Sequence, residues 1–424
     1  MIIHVVKQGD TLTSVANQYN VSSERIILDN GIENIEGLVV GQALVILIPK
    51  IIHVVVSGDT IASVSKEYGV DEINLLQNNP NLINNSTLYV GESLAISFEG
   101  EKLRNGRFNG YAYPFINNNI LRRTVTYLTT LTIFGYGFTE DGELIPIEDE
   151  KLIQEAYSLK ASPMMLISSI DDAGNFSNEH AEKVFANAAA RENLITEIIN
   201  TMYLKGYIGL DIDFEFIKDK DNYIAFIQSV AIRLHEEGFI VNVDLAPKTS
   251  STQVGLVYQA HDYKRIGEIA DTVLLMTYEW GYIYGPPMAV APINQVRKVV
   301  EYAITEINVD KIMLGIPNYG YDWELPYVRG TTAATIIGNN EAIEIAAKNK
   351  AVIEFDTLAM SPYFYYSDTN GNAHVVWFED ARSIEAKLQL VNEYKLLGAG
   401  YWNLMRNFPA NWAVLNSLYG INKL

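Results

Sequence analysis

The apolar positions of the first hundred residues form a pattern that occurs twice. "HVVKQGDTLTSVANQYNV" (4–21) matches "HVVVSGDTIASVSKEYGV" (53–70), and "VGQALVI" (40–46) matches "VGESLAI" (90–96) one residue further apart. Each copy reads as a strand, a Gly-Asp-Thr turn, a helix, an Asn-rich loop and a second strand. Val15/Tyr19 and Val64/Tyr68 supply the i, i+4 apolar face, and Thr11 and Thr60, or the Asp before each, are natural N-caps. Two copies predict a tandem of small modules and not a solenoid.

From about residue 108 the pattern changes to short β-rich apolar runs alternating with longer amphipathic helices. The expected strands are "NGYAYPFI" (109–116), "LTIFGYGF" (131–138), "PMMLISSI" (163–170), "YIGLDIDFEFI" (207–217), "FIVNVDLAP" (239–247), "DTVLLMTYEW" (271–280), "KIMLGIPNYGY" (311–321) and "AGYWNLMRNF" (399–408). Gly206, Gly238 and Gly398 stand where a helix would stop before the next strand. Eight strands alternating with helices predict an α/β fold of the (β/α)8 barrel type. The stretch 324–380 breaks the rhythm and reads as an insertion with a hairpin around Asn370-Gly371, walling one side of the barrel mouth. The expected domains are 1–49, 50–98 and 105–424.

The fourth barrel strand carries the chemistry. On a strand, Asp211, Asp213 and Glu215 share one face, and Ile208, Ile212, Phe214 and Phe216 share the other. The apolar set suits the helix layer, so the acids point into the lumen, with Glu215 nearest the C-terminal rim where barrel enzymes act. Three close carboxylates cannot all ionise cheaply, so at least one pKa should rise, and a raised Glu makes a general acid near neutral pH. A Ca²⁺ or Mg²⁺ site is the first competing reading, but the turn residues and Gly of an EF-hand are missing. A passive hydrogen-bonded network is the second, and three acids at a strand's rim disfavour it. The six His are scattered, without paired-ligand spacing, and no nucleophile elbow, Walker loop or dinucleotide fingerprint occurs. No metal and no cofactor are expected.

Charge narrows the partners. The net charge is −20, with 4 Lys/Arg against 10 Asp/Glu in residues 1–97 and 27 against 41 beyond. Nucleic acid and anionic lipid surfaces call for the opposite sign, so neither is expected as a partner. The chain holds no cysteine, which excludes disulfides and thiolate metal sites. Its start runs straight into a strand pattern, without the layout of a signal peptide, and no apolar stretch is long enough to span a bilayer. A soluble monomer acting on a neutral polymer is expected.

The repeats resemble the LysM module, a βααβ unit that binds N-acetylglucosamine-containing glycans. That resemblance implies glycan binding through the turns Gly9-Asp10-Thr11 and Gly58-Asp59-Thr60 and the mid-unit Asn30 and Asn79. "GLDIDFE" (209–215) is similar to the family 18 glycoside hydrolase signature DGxDxDxE, with Ile208 in place of the first Asp. Position 208 has helix-facing parity, so this departure should affect packing more than catalysis. "MTYEW" (276–280) resembles the family's Met-x-Tyr-Asp with Glu279 where Asp is usual, "LGIPNYGYDW" (314–323) its seventh strand, and "GYWNL" (400–404) its closing strand.

The resemblance implies hydrolysis in which the substrate's own 2-acetamido oxygen is the nucleophile, an exception to the two-carboxylate scheme. Glu215 would then be acid and base, Asp213 the partner of the acetamide N–H, Asp211 its proton-sharing neighbour, and Tyr278 the donor to the acetamide oxygen. Trp402 would floor the sugar site, with Tyr136, Glu279 and Asn318 lining it. Two LysM modules ahead of such a barrel, with no export signal, resemble the spore cortex-lytic enzymes of endospore-forming bacteria. This implies an N-acetylglucosaminidase located in the spore and acting on peptidoglycan fragments with muramic-δ-lactam during germination. A chitinase or general wall glucosaminidase, and a non-hydrolytic spore-coat glycan binder, are the competing readings.

Overall fold

The computed structural model describes residues 1–33 and 37–424. In the first repeat, β1 (Ile2–Val5) and β2 (Ala43–Ile46) pair antiparallel beside α1 (Leu12–Tyr19) and α2 (Ser23–Asn30). The second repeat has β3 (Pro49–Val54), α3 (Ile61–Tyr68), α4 (Glu72–Asn78) and β4 (Ser93–Phe98). Thr11 and Thr60 are the caps, each in a reciprocal pair with Ser14 or Ser63. The Asp before each cap has another task. Asp10 accepts from the Lys7 N–H at 2.7 Å and meets His4 Nε2 at 3.0 Å, while the other ring nitrogen of His4 contacts the Tyr19 hydroxyl at 3.1 Å. His53, Asp59 and Tyr68 repeat the arrangement. It ties strand, turn and helix together in each copy.

Eight parallel strands follow: β5 (Arg104–Ala112), β6 (Thr130–Phe138), then, past the short antiparallel β7 (Leu144–Ile145), β8 (Ser162–Ser168), β9 (Gly209–Asp213), β10 (Ile240–Leu245), β11 (Thr272–Leu275), β12 (Ile312–Pro317) and, after an insertion, β18 (Gly398–Trp402). The insertion is an antiparallel sheet of β13 (Gly320–Leu325), β14 (Thr335–Ile337), β15 (Glu354–Asp356), β16 (Ser361–Ser367) and β17 (Ala373–Trp377), opening at Gly320. β18 (Gly398–Trp402) closes the barrel against β5, and β19 (Tyr419–Ile421) lies on the other edge of β5. Turn chemistry makes the β16–β17 hairpin: Asp368 accepts from the N–H groups of Asn370 and Asn372, and Gly371 takes φ +88°.

Gly398 does not stop a helix. That helix, Ala381–Glu393, ends earlier, and Gly398 is the first residue of β18, where the Arg107 backbone occupies the space of a Cβ. The helical stretch before β9 is two helices, Asn178–Ala186 and Ala188–Lys205, because Asn187 turns out of the first and caps the second. Gly206 does end its helix, at φ +80°.

Strand alternation separates a helix-facing apolar layer from a polar lumen. Ile212 and Phe214 are fully buried outward, Phe214 meeting Phe185 edge-on at 5.1 Å. Phe216, expected with them, leaves the pattern. β9 ends at Asp213, Phe216 takes φ +57°, and its ring opens to the mouth, 45% exposed. Both repeats rest on the barrel: Gln77 donates to the Thr126 carbonyl at 2.8 Å, and the Ile353 N–H donates to the Val40 carbonyl at 2.9 Å. No helix among the described residues is long and apolar enough to cross a membrane.

Candidate active site

Asp211, Asp213 and Glu215 rise in that order toward the mouth. Asp211 is fully buried in the lumen, where it accepts from Asn242 Nδ2 of β10 at 2.7 Å and from the Thr132 hydroxyl of β6 at 3.3 Å. The Thr272 hydroxyl donates to Asn242 Oδ1 at 2.7 Å, which leaves the amide nitrogen to face the acids. A fourth carboxylate joins them from β10. Asp244 is buried, accepts from the Tyr111 hydroxyl at 2.8 Å and shares Asn242 Nδ2 with Asp211, at 3.0 Å.

Burial dominates the electrostatics. It pushes the Asp211 carboxyl up to about 6, against the hydrogen bonds from Asn242, Tyr111 and Thr132. Asp213 and Asp244 are held well above the usual carboxylate range, first by desolvation and then by neighbouring negative charge: Glu215 and Asp211 for Asp213, Asp211 and Asp213 for Asp244. These groups titrate as a set, so the cluster holds protons at pH values where isolated carboxylates have lost them. Asp213 Oδ1 is buried with no hydrogen-bond partner among the described residues, which for a polar atom costs on the order of 1–3 kcal/mol until something donates to it. Glu215 lies just past the strand end, its carboxyl raised by burial and by the charge of Glu279.

The backbone carrying Glu215 is pinned by His261, which is fully buried. The Ala246 N–H donates to His261 Nδ1 at 2.6 Å, so the ring proton sits on Nε2, which faces the Phe214 carbonyl at 3.0 Å. Burial lowers the His261 pKa to about 4 and keeps the ring neutral.

Tyr278, just beyond β11, is nearly buried, and its hydroxyl stays protonated because desolvation and the charges of Asp244, Asp213, Glu215 and Glu279 oppose ionisation. Gly315 makes room for its ring, since a Cβ there would stand 2.9 Å from Tyr278 Cε1. Glu279, at φ +65°, accepts from the hydroxyls of Tyr319 and Tyr321. Trp402 ends β18 and meets Phe134 and Tyr111 edge-on at 5.3 and 5.6 Å. A cleft of about 400 Å³ is lined by Tyr113, Phe134, Phe176, Asp213, Glu215 and Trp402.

The structure thus brings Asp211, Asp213, Glu215, Tyr278, Glu279 and Trp402 together. Asn318 stands behind the site. Its amide donates to the carbonyls of Asn403 and Arg406 and its N–H to that of Trp402, so it holds the segment bearing Trp402. Tyr136 does not belong to the lining. The β6–β8 register breaks between Ile133 and Tyr136, and the Tyr136 hydroxyl turns to Asp149, with Lys205 and Tyr207, beneath the helix layer. In the repeats, Asp10 and Asp59 are bound to their histidines, and Asn30 and Asn79 are buried staples. Asn30 donates to the Ile26 and Val45 carbonyls and accepts from the Val45 N–H; Asn79 does the same with Leu75 and Ala95. Gly9 and Gly58 stay open, with no described residue near the space of a Cβ.

Sequence reasoning missed Asn242, Asp244, Tyr111 and His261. The parity argument used for the fourth strand would have found the first two in "FIVNVDLAP", where Asn242 and Asp244 alternate with Val241, Val243 and Leu245. No local signal singles out His261.

Residues 108–407 match the family described as Glycosyl hydrolases family 18, and residues 4–47 and 53–97 match the LysM domain. The chain is 39% identical over 433 residues to the cortical fragment-lytic enzyme of Bacillus subtilis (strain 168), covering 100% of this chain and 99% of that protein. Among solved structures, the spore cortex-lytic enzyme SleL of Bacillus megaterium QM B1551 is 38% identical, with a TM-score of 0.83 over 100% of this chain and 99% of that one. A chitinase of Chromobacterium violaceum ATCC 12472 is 25% identical, with a TM-score of 0.69 over 74% of this chain and 98% of that one.

Proposed function

Since the chain belongs to the family 18 glycoside hydrolases, we propose that it hydrolyses N-acetylglucosaminyl linkages of spore-cortex peptidoglycan during germination, with retention of configuration. The observation that carries the mechanism is the buried Oδ1 of Asp213, without a partner among the described residues, in the same cleft as Glu215. A 2-acetamido N–H is the donor that this oxygen lacks. Its hydrogen bond to Asp213 and one from Tyr278 to the acetamide oxygen would hold that oxygen in line with C1.

Glu215, its carboxyl raised by burial and by the charge of Glu279, gives its proton to the glycosidic oxygen as the C1–O bond breaks. The acetamide oxygen closes onto C1, and the oxazolinium charge falls beside Asp213. Glu215, now a carboxylate, takes a proton from water, whose oxygen attacks C1 and reopens the ring. Asp211 and Asp244, with raised pKa values and a shared amide at Asn242, let Asp213 alternate between its two charge states without charging an apolar core. Trp402 offers the sugar an aromatic plane.

For the glycan, two features favour cortex fragments with muramic-δ-lactam: a net charge of −20 and likeness over the whole chain to proteins named for the cortex. Lactam formation removes the lactyl carboxylate, so an acidic enzyme meets a less anionic polymer. Product analysis on cortex fragments, vegetative peptidoglycan and chitin oligomers tests the reading. New GlcNAc reducing ends of β configuration from cortex alone are expected. Chitin turnover at an equal rate would replace the cortex reading with a chitinase.

A further inference from the structure

The two repeats differ in what covers them. The turn before each closing strand has the same internal bonds: Gly41 N–H to the Val6 carbonyl and Gln42 N–H to that of Val39, Gly91 N–H to that of Val55 and Glu92 N–H to that of Tyr89. In the first repeat this turn is sunk into the barrel's insertion. Val39, 5% exposed, joins the core of Ile337, Ala342, Ala346 and Ile353. The Ile353 N–H donates to the Val40 carbonyl at 2.9 Å, Arg382 donates to the Gly41 carbonyl at 3.2 Å, and the Ile353 carbonyl occupies the space of a Gly41 Cβ. In the second repeat the corresponding Tyr89 and Val90 are 61% and 72% exposed, and no described residue comes within 4 Å of a Gly91 Cβ position. The carbonyls of Val90 and Gly91 accept no hydrogen bond among the described residues.

We propose that the second repeat alone holds glycan, through the turn Tyr89-Val90-Gly91, and that the first repeat is a clamp on the insertion whose own turn is filled by Ile353. The inference rests on the reading that the chain takes a polymer of 2-acetamido sugars. What fills the first turn indicates what fits the second. Ile353 presents a backbone N–H beside an apolar side chain, and a 2-acetamido group presents an N–H beside a methyl. The free Val90 carbonyl is placed for that N–H, and the Tyr89 ring suits the apolar face of a sugar. Glu92, whose side chain accepts from the Tyr89 N–H at 3.2 Å, disfavours an anionic ligand at the same turn.

The test is co-sedimentation of the full-length chain with purified insoluble peptidoglycan. Tyr89→Ser with Val90→Ser, both exposed, should weaken binding at least about tenfold with the thermal unfolding midpoint and elution volume unchanged. Lys7→Ser with Gln8→Ala, on the exposed side of the first repeat, should leave binding within about twofold. Unchanged binding in the Tyr89/Val90 variant, or equal loss in the Lys7/Gln8 variant, overturns the inference while wild-type binding keeps the glycan reading intact. A change of oligomeric state in the Tyr89/Val90 variant makes the turn a contact between copies and also overturns it. A wild-type chain that neither sediments with glycan nor cleaves it refutes both.

Discussion

Replacing His261 separates what holds the fold from what holds Glu215, the proposed catalytic carboxylate. Its ring joins two buried backbone groups, the Ala246 N–H at 2.6 Å and the Phe214 carbonyl at 3.0 Å. Phe214 is the residue before Glu215. Truncation to Ala leaves both groups without partners, at about 1–3 kcal/mol each, so the chain should lose about 2–6 kcal/mol of stability. Two partial mimics divide the effect. The Asn amide oxygen can stand near Nδ1 and accept from Ala246; the Gln amide nitrogen can stand near Nε2 and donate to Phe214. Both should recover roughly half of the lost stability, by the same count of about 1–3 kcal/mol per bond. Only His261→Gln should keep kcat within a few-fold of wild type, whereas His261→Asn should lower kcat about 10–100-fold, since displacement by about 1 Å at a reacting group costs on the order of 10².

The ring also gives stability a pH dependence. Its pKa of about 4 in the folded chain, against about 6.5 unfolded, means that the unfolded state binds the extra proton between those values. Stability from the neutral ring is therefore complete above pH ~6.5 and declines as pH falls toward ~4, by about 3 kcal/mol in all. His261→Gln should remove that slope relative to wild type. Denaturant unfolding of the four proteins at several pH values, paired with turnover of soluble cortex fragments, provides the assay. Equal kcat for the Asn and Gln variants would refute the positioning argument.

Three further substitutions probe other parts of the site. Glu279→Gln keeps the shape but removes the charge that raises the Glu215 carboxyl; the basic limb of the kcat/KM profile should move to lower pH, because the acid then loses its proton earlier, and an unmoved limb would contradict the coupling. Trp402→Ala should lower kcat/KM for soluble fragments at least about tenfold, roughly 1.4 kcal/mol of lost aromatic contact, and an unchanged value would place the sugar elsewhere. Tyr136→Phe should leave kcat within about twofold and cost about 1 kcal/mol of stability in denaturant, because its hydroxyl serves Asp149 beneath the helices; a large fall in kcat would return it to the cleft.

The barrel was legible because its strands are apolar runs bounded by helices, and four of them carry spaced motifs. Period-2 parity placed Asp211 and Asp213 inward and Ile212 and Phe214 outward, as the structure has them. Parity failed for Phe216, which lies beyond the end of its strand, and the resemblance failed for Tyr136, which lies beyond a register break; neither feature leaves a mark in an apolar–polar pattern. Asn30 and Asn79 illustrate another limit. A conspicuous Asn in a repeat can be a ligand or a staple, and only its backbone partners distinguish the two. The unlike burial of Val39 and Tyr89 depends on an insertion 300 residues away in the chain, which no local reading of the repeats can supply.

In the proposed reaction Glu215 donates the proton and the substrate supplies its own nucleophile. Glu215→Gln retains the shape of the side chain and removes the transferable proton. Turnover of soluble cortex fragments, followed as new reducing ends, should fall by at least about 10²–10⁴, while the variant unfolds at the wild-type midpoint and still sediments with insoluble peptidoglycan. Turnover within a few-fold of wild type would contradict the assignment and move the acid to another member of the cluster.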